Sequence, residues 1–218
     1  MTKEIYNLIE SYMLVCAEDS AHDKEHIYRV LHTALHISDY CENVDSDILI
    51  TACLLHDIAR GEQLENPEIC HAERGAEEAY TFLIRNGFGT SFAEKVSACI
   101  LTHRFRNGRE PESIEAKILF DADKIDVTGA MGIARTLVYS GETRRPLYSF
   151  TDASEINDGT IKDDTFFAEY KFKLEKLYNR FYTEKGREMA LERKKHAEDF
   201  YNNLLGEIKE TYTWKDKQ

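Results

Sequence analysis

Apolar residues recur at helical spacing along most of the chain. In the segment Lys24–Ser38 they fall at positions i, i+3, i+4, i+7 and i+8, which form one face of an amphipathic helix. These positions are Ile27, Val30, Leu31, Ala34 and Leu35. Residues 45–55 begin with two residues that favour helix N-caps and continue almost entirely apolar, as in a helix buried on most sides. This second helix is predicted to end at His56 and Asp57.

Further helices are predicted on both sides of a central loop. Two cover residues 73–86 and 92–102, and the glycines of segment 86–89 separate them. A fifth helix is predicted from Pro111 through residues 121–124 toward Val138. Turn-forming residues dominate 140–158, which predicts a long loop, and helical spacing returns in residues 163–210. The pattern predicts an all-α fold, and the length fits one domain over residues 1–218 with the C-terminal helices packed on it.

Composition and charge exclude several classes of protein. Hydrophobic residues make up 42% of the chain, which excludes a disordered protein, and three prolines with eleven glycines are too few for a β-sandwich or barrel. The net charge is −12, from 28 basic and 40 acidic residues, so the field of the protein repels nucleic acids. A small phosphorylated substrate remains compatible with this charge where metal ions or a few cations reverse the local sign.

Cysteines and the N-terminal segment indicate the compartment. The five cysteines are an odd number without a C-x-x-C pair, which predicts reduced core residues. The first twenty residues carry acidic groups around a short apolar stretch, unlike a signal peptide. The most apolar segment, residues 48–55, is far shorter than the ~20 residues that cross a bilayer. We therefore expect a cytoplasmic protein without a membrane partner.

Histidines supply the main sign of chemistry, because all but one of the eight lie in the first half of the chain. His56 and Asp57 directly follow an apolar helix, where burying both side chains unpaired is costly. A divalent cation lodged between this helix and its neighbours satisfies both side chains. The alternative is structural: Asp57 caps the next segment while His56 donates to a backbone carbonyl.

The predicted helix over residues 24–38 carries further candidate site residues. His26 lies three residues before Arg29, so a metal ligand and an anion-binding cation share one helix face. His32 and His36 have ligand spacing but lack the glutamate of a helical zinc-protease motif, and we interpret them as surface or second-layer residues.

Acidic residues interrupt the apolar pattern of the predicted fifth helix. Asp123 and Asp126 share a face while Asp121 points away, and the spacing does not fit a calcium loop. This pattern indicates a metal ligand carried on a helix, with an exposed acidic stripe as the alternative. No phosphate-binding loop, dinucleotide fingerprint, nucleophile elbow or structural zinc motif occurs in the sequence.

The ordered set of these residues resembles the signature of the HD-domain superfamily of metal-dependent phosphohydrolases. It comprises His26 in His22-Asp23-x-x-His26-x-x-Arg29, then His56-Asp57, then Asp123 in Ala122-Asp123-Lys124. The resemblance covers about residues 20–140 and implies an all-helical bundle whose metal ligands come from separate helices. The segment that begins at Gly129 is similar to a bacterial subgroup of small single-domain HD proteins, some of which are nucleotide pyrophosphohydrolases.

The resemblance implies a ligand set and a cofactor. His26, His56, Asp57 and Asp123 would bind a divalent ion, Mn²⁺ or Mg²⁺, with Fe, Co, Ni or Zn as alternatives. Asp121 and Asp126 would support these ligands. His71 and His103 match positions where two-metal members have extra ligands, and otherwise they would transfer protons or contact phosphate. The number of ions stays open.

The implied activity is hydrolysis of a nucleotide or another small phosphorylated metabolite by an activated water. Asp57 would both bind the metal and orient the water, while Arg29, Lys124 and Arg104 would offset the phosphate charge. Two alternatives remain: a di-iron oxygenase, if both extra histidines coordinate, and a binding protein that keeps the metal for folding. The chain is expected to be a monomer or a homodimer.

Overall fold

The computed structural model describes residues 1–18, 24–104, 109–153 and 155–213, so His22 and Asp23 lie outside the described residues. Within these ranges the regular structure is helical, apart from an isolated antiparallel bridge between Phe150 and Ile156. The helices are α1 (Lys3–Glu18), α2 (Lys24–Ser38), α3 (Ser46–Leu55), α4 (Arg60–Glu65), α5 (His71–Arg85), α6 (Thr90–Leu101), α7 (Ile114–Ile125), α8 (Gly129–Glu142), α9 (Phe166–Phe172) and α10 (Glu184–Thr213), with a 3₁₀ helix at Leu174–Asn179. The fold is all-α, as predicted.

The chain divides into two compact units. The first comprises residues 1–125 and the short segment 182–186, and the second comprises residues 126–181 and the chain from Arg187 onward. The arrangement as one domain, with the C-terminal helices packed on it, stays a prediction. None of the described helices is long and apolar enough to cross a membrane.

The core of the first unit lies where α2, α3, α5, α6 and α7 pack against one another. The bounds of α2 agree with the sequence prediction, and its predicted apolar face is buried except for Leu35, which is half-buried. Ile37, which was not part of the predicted face, is also buried. The Asp45 carboxylate caps α3 by accepting hydrogen bonds from the backbone N–H groups of Asp47 and Ile48. Because α3 is buried on most sides, the residues that follow it emerge inside this unit.

The second unit has an aromatic core of its own. Phe166, Phe167, Tyr170 and Tyr201 are buried together, and the rings of Tyr170 and Tyr201 stack with their centroids 4.5 Å apart. Such stacking adds to the hydrophobic gain from burying the ring surfaces.

The predicted fifth helix is wrong in one respect, because the structure divides it into α7 and α8. Thr128 has an extended backbone, and Gly129 adopts φ +61°, a conformation that side-chain-bearing residues rarely adopt. A Cβ at Gly129 would also lie 2.8 Å from the Cβ of Arg193. The helical periodicity continues through this break, so the apolar pattern does not reveal it.

Other differences are smaller. Helices α1 and α4 were not predicted, and the helical pattern before residue 181 proves to be α9 followed by the 3₁₀ helix. No disulfide joins the five cysteines, all of which are described. Cys53 and Cys99 are buried, whereas the other three are half-buried, so the interpretation as core residues is correct for these two.

Asp121 holds the segment 182–186 in the first unit. Its carboxylate, 0% exposed, accepts hydrogen bonds from Tyr182 N at 2.9 Å, Thr183 N at 2.7 Å and Thr183 Oγ1 at 2.6 Å. Gly186 packs so closely that a Cβ there would lie 2.5 Å from Asp121 Oδ2. The expectation that Asp121 supports the metal ligands is corrected: this carboxylate is engaged with a distant backbone segment.

Replacing Asp121 by alanine should destabilise the protein by about 2 to 4 kcal/mol, because the buried backbone N–H of Thr183 and the part-buried N–H of Tyr182 lose their acceptor. Chemical denaturation of the wild type and Asp121→Ala measures the change in free energy of unfolding. Asp39→Ala, at an exposed position after α2, is the control and should change it by less than ~0.5 kcal/mol. An Asp121→Ala variant as stable as this control would contradict the assignment.

Candidate metal centre

Three helices of the first unit bring one set of ligand atoms together. His26 comes from α2, His56 and Asp57 follow the end of α3, and Asp123 lies on α7. His26 Nε2 lies 3.4 Å from His56 Nε2, 3.4 Å from Asp123 Oδ1 and 3.7 Å from Asp57 Oδ2. The structure therefore brings together the four residues predicted to hold a metal.

A second set faces the other oxygen of Asp57. His71, the first residue of α5, places Nε2 3.2 Å from Asp57 Oδ1, and His103, which follows α6, places Nε2 3.7 Å from the same oxygen. The Nε2 atoms of His71 and His103 are 3.2 Å apart. The carboxylate of Asp57 thus stands between two groups of histidines, one beside each oxygen.

Backbone carbonyls orient two of the rings from behind. His56 Nδ1 donates to the carbonyl of Cys53 at 2.7 Å, and His103 Nδ1 donates to the carbonyl of Ile100 at 2.6 Å. A neutral imidazole has one N–H, so these contacts leave each Nε2 as an acceptor. His56 therefore donates to a backbone carbonyl, as in the structural alternative. Its Nε2 atom at the same time lies among the other ligand atoms.

Burial and mutual charge control the ionisation of the cluster. Desolvation lowers the pKa of His56 to about 4 and that of His71 to about 2, so both rings are neutral near pH 7. Burial alone would raise the pKa of Asp57, but His56, His71 and His103 more than offset this effect and hold it well below its ordinary value. For Asp123 the opposing groups are Lys124 and His26, and its pKa is also held well below the ordinary value.

The donor set fits a divalent metal ion. The ligand atoms of His26, His56 and Asp123 all lie within 4.8 Å of one another, and so do those of Asp57, His71 and His103. Ligands about 2.1 Å from one ion are about 3.0 to 3.4 Å apart in octahedral or tetrahedral coordination, close to the separations found here. Imidazole nitrogens and carboxylate oxygens suit first-row divalent ions. Converging acceptors at nearly buried positions are costly unless a cation lies among them.

The predicted phosphate-binding cations occupy different surroundings. Lys124 Nζ is 2.8 Å from Asp123 Oδ2, so this lysine pairs directly with a candidate ligand. Arg104 Nη1 is 3.1 Å from His71 Nδ1, which brings it to the second set. Arg29 is half-buried on α2, one turn after His26.

Sequence reasoning missed two residues behind His71. Arg60 and Gln63 lie on α4, where Arg60 Nη1 is 2.8 Å from His71 Nδ1 and Gln63 Oε1 contacts the same nitrogen. No motif marks them, because α4 is a short helix without an apolar stripe. Asp126, expected to support the ligands, instead pairs with Arg135 in the second unit.

Known proteins resemble this chain over nearly its whole length. The uncharacterized protein YpgQ of Bacillus subtilis (strain 168) is 31% identical over 195 residues, which cover 88% of this chain and 86% of YpgQ. The crystal structure of YpgQ in complex with ADP superposes with a TM-score of 0.72 at 29% identity and covers 93% of this chain and 97% of that one.

Two further solved structures are similar. A predicted HD superfamily hydrolase from an uncultured Thermotogales bacterium is 32% identical with a TM-score of 0.61, and 94% of this chain and 92% of that one are covered. An HD-superfamily hydrolase from Bacillus thuringiensis is 26% identical with a TM-score of 0.73, and 95% and 98% are covered.

The family model for the HD domain matches residues 24–128, a range that includes every member of both ligand sets. Together with the full-length similarity to YpgQ and to HD-superfamily hydrolases, this match shows that the chain belongs to the HD domain family.

Proposed function

We propose that this protein is a metal-dependent phosphohydrolase of the nucleotidase or nucleotide pyrophosphohydrolase type. The observation that carries the proposal is the carboxylate of Asp57, which faces His26 and His56 with one oxygen and His71 and His103 with the other. A carboxylate placed in this way can bind a metal and still orient a water molecule. The HD-superfamily hydrolases among the related structures support hydrolysis as the reaction class.

A nucleotide is the substrate class that the comparisons favour. YpgQ, similar over 93% of this chain, has been crystallised with ADP. We infer that this chain binds a nucleotide or a small metabolite with comparable phosphate groups. The acidic net charge, −12, favours a small anion held by local cations over a nucleic acid. Cytoplasmic location and a monomeric or homodimeric state stay predictions.

In the proposed mechanism His26, His56, Asp57 and Asp123 hold Mn²⁺ or Mg²⁺. When bound, the ion supplies Lewis acidity, which polarises a phosphoryl oxygen and lowers the pKa of water. Asp57 Oδ1 accepts a hydrogen bond from the attacking water and aligns it with the phosphorus atom. As the water oxygen bonds to phosphorus, the P–O bond to the leaving group breaks. One of the two histidines, His71 or His103, whose Nε2 atoms lie 3.2 and 3.7 Å from Asp57 Oδ1, accepts the single proton that the water releases.

Three cations bind the phosphate in this proposal. Arg29, Lys124 and Arg104 offset the negative charge of the phosphate oxygens. They also offset the negative charge that develops on the leaving-group oxygen during hydrolysis. Lys124 contributes in two ways, because its contact with Asp123 also keeps that carboxylate ionised. Arg104 lies beside His71 and is therefore near the group that accepts the proton.

The second ligand set favours one other function. Because Asp57, His71 and His103 could hold an ion of their own, the site could carry two irons and act as an oxygenase. Two irons per chain, together with substrate-dependent oxygen consumption by anaerobically purified protein, would favour this function. Hydrolysis by the Mn²⁺-loaded protein without oxygen consumption would favour the phosphohydrolase.

Asp57→Ala should abolish Mn²⁺ binding and hydrolysis together, because Asp57 faces both ligand sets. The protein is stripped of metal, reloaded with Mn²⁺ and assayed by chromatography against nucleoside mono-, di- and triphosphates, while bound metal is measured by mass spectrometry. His32→Ala, which removes an exposed imidazole from α2, is the control and should retain both properties. Hydrolysis by metal-loaded Asp57→Ala would contradict the proposed role.

Arg29→Ala should impair the use of phosphorylated substrates and leave metal content unchanged. Loss of one charge-assisted hydrogen bond costs about 1.5 to 3 kcal/mol, so kcat/KM should fall about 10- to 150-fold. Arg85→Ala, at an exposed position near the end of α5, is the matched control and should be near the wild type. If Arg29→Ala loses its metal, Arg29 supports the ligands and does not bind phosphate.

A further inference from the structure

The first unit also contains a cavity that the proposed reaction does not use. It lies between the start of α3, one side of α6 and the residues that precede and begin α7, and its volume is about 760 Å³. None of the described residues that line it belongs to the two ligand sets around Asp57. Sites for small molecules usually have volumes of about 300 to 1,000 Å³, so this cavity has the size of such a site.

A nearly buried carboxylate lines this cavity. Glu115, in the first turn of α7, is 8% exposed, and its Oε1 atom accepts a hydrogen bond from Asp45 N at 2.8 Å. Its other oxygen, Oε2, makes no hydrogen bond or ion pair with any residue that the structure describes. A carboxylate oxygen at such a position is costly unless a donor reaches it. The cavity therefore offers a ligand an acceptor that the described residues leave unused.

Acidic side chains outnumber basic ones around the cavity. Four acidic and two basic side chains line it: Asp45, Glu110, Glu112, Glu115, Lys95 and Arg109. One of the two cations is already engaged, because Arg109 Nη1 lies 3.1 Å from Glu73 Oε1, outside the lining. Glu110 and Glu112 form no ion pair within the part of the chain that the structure describes. The cavity therefore favours a cation and repels an anion such as a nucleotide.

The arrangement of the lining favours an organic cation over a metal ion. Among the described residues, the groups with three ligand atoms within 4.8 Å of one another are those around Asp57, so these acids do not converge as metal ligands. Apolar side chains form another part of the lining, and Ile48 and Ala116 among them are buried. A ligand gains free energy here both by burying apolar surface and by pairing a charged donor with Glu115.

We propose that this cavity binds a small organic amine. The protonated nitrogen donates to Glu115 Oε2, and the apolar body of the ligand packs against Ile48, Leu101 and Ala116. This binding site is separate from the centre around Asp57 and does not depend on the proposed hydrolysis.

Isothermal titration calorimetry of the full-length protein tests this site with three probes that share an indole ring and a two-carbon chain. Tryptamine carries a positive charge at pH 7, tryptophol is neutral, and indolepropionate is negative. Glu115→Gln removes the charge but keeps an amide oxygen for Asp45 N. Ala98→Phe places a ring in the cavity from an exposed position on α6. Glu94→Gln, which removes an exposed carboxylate of α6 outside the lining, is the matched control.

We expect tryptamine to bind the wild type at one site per chain, and tryptophol and indolepropionate to bind more weakly. Loss of the charge-assisted hydrogen bond in Glu115→Gln should raise the Kd for tryptamine about 10- to 150-fold. Ala98→Phe should also weaken binding, because the ring occupies the space of the ligand, whereas Glu94→Gln should bind like the wild type. Circular dichroism checks that each variant is folded.

Three results would overturn the proposal. The first is the absence of saturable tryptamine binding by the wild type, and the second is equal affinity for tryptamine and tryptophol. The third is unchanged tryptamine affinity in Ala98→Phe, a variant at an exposed position that decides the question even where Glu115→Gln does not fold. Each of these results leaves the proposed hydrolysis untouched, because no substrate takes part in the measurement.

Discussion

The nearly buried carboxylate of Asp57 is the group on which the arrangement of the first unit depends. Its side chain is 12% exposed, and four imidazole nitrogens surround its two oxygens at 3.2 to 3.9 Å. An ionised carboxylate in such surroundings is stable only if positive charge or hydrogen-bond donors lie close to it. The rings of His56 and His71 are neutral and supply no charge, so a cation held among these ligand atoms would stabilise the carboxylate. The ligand side chains come from α2, α5 and α7 and from the residues that follow α3 and α6, and these helices pack together in one core.

The groups that contact the Nδ1 atoms of these histidines fix the orientation of the rings. Carbonyls at the ends of α3 and α6 hold His56 and His103, because a helix leaves its last carbonyls without intrahelical partners. His71 begins α5 and has no such carbonyl, so α4 supplies Gln63 and Arg60 in its place. The short helix α4 thus contributes to the centre, although it adds no fully buried residue to the core.

Buried acidic groups outside the centre have a structural use. Asp121 and Asp126 interrupt the same apolar pattern as Asp123. Asp121, however, accepts hydrogen bonds from the backbone of residues 182 and 183, and Asp126 pairs with Arg135. The interruption of an apolar helix by acids indicates that each acid needs a partner, and a metal is one such partner among several. Which acid faces a cation depends on the neighbouring segments, and those are distant in sequence.

The sequence by itself determined the helical class and the bounds of α2 and α3, because apolar periodicity is a local property. The residues that meet around Asp57 were identified by the resemblance of their order along the chain to the signature of the HD-domain superfamily. The sequence did not reveal the break at Gly129, the contribution of Gln63 or the partner of Asp121. These features arise from contacts between residues as far apart as Asp121 and Thr183, or from the backbone conformation at one glycine. Only the tertiary structure decided them, because a side chain's partner is set by the packing of elements that its own segment does not encode.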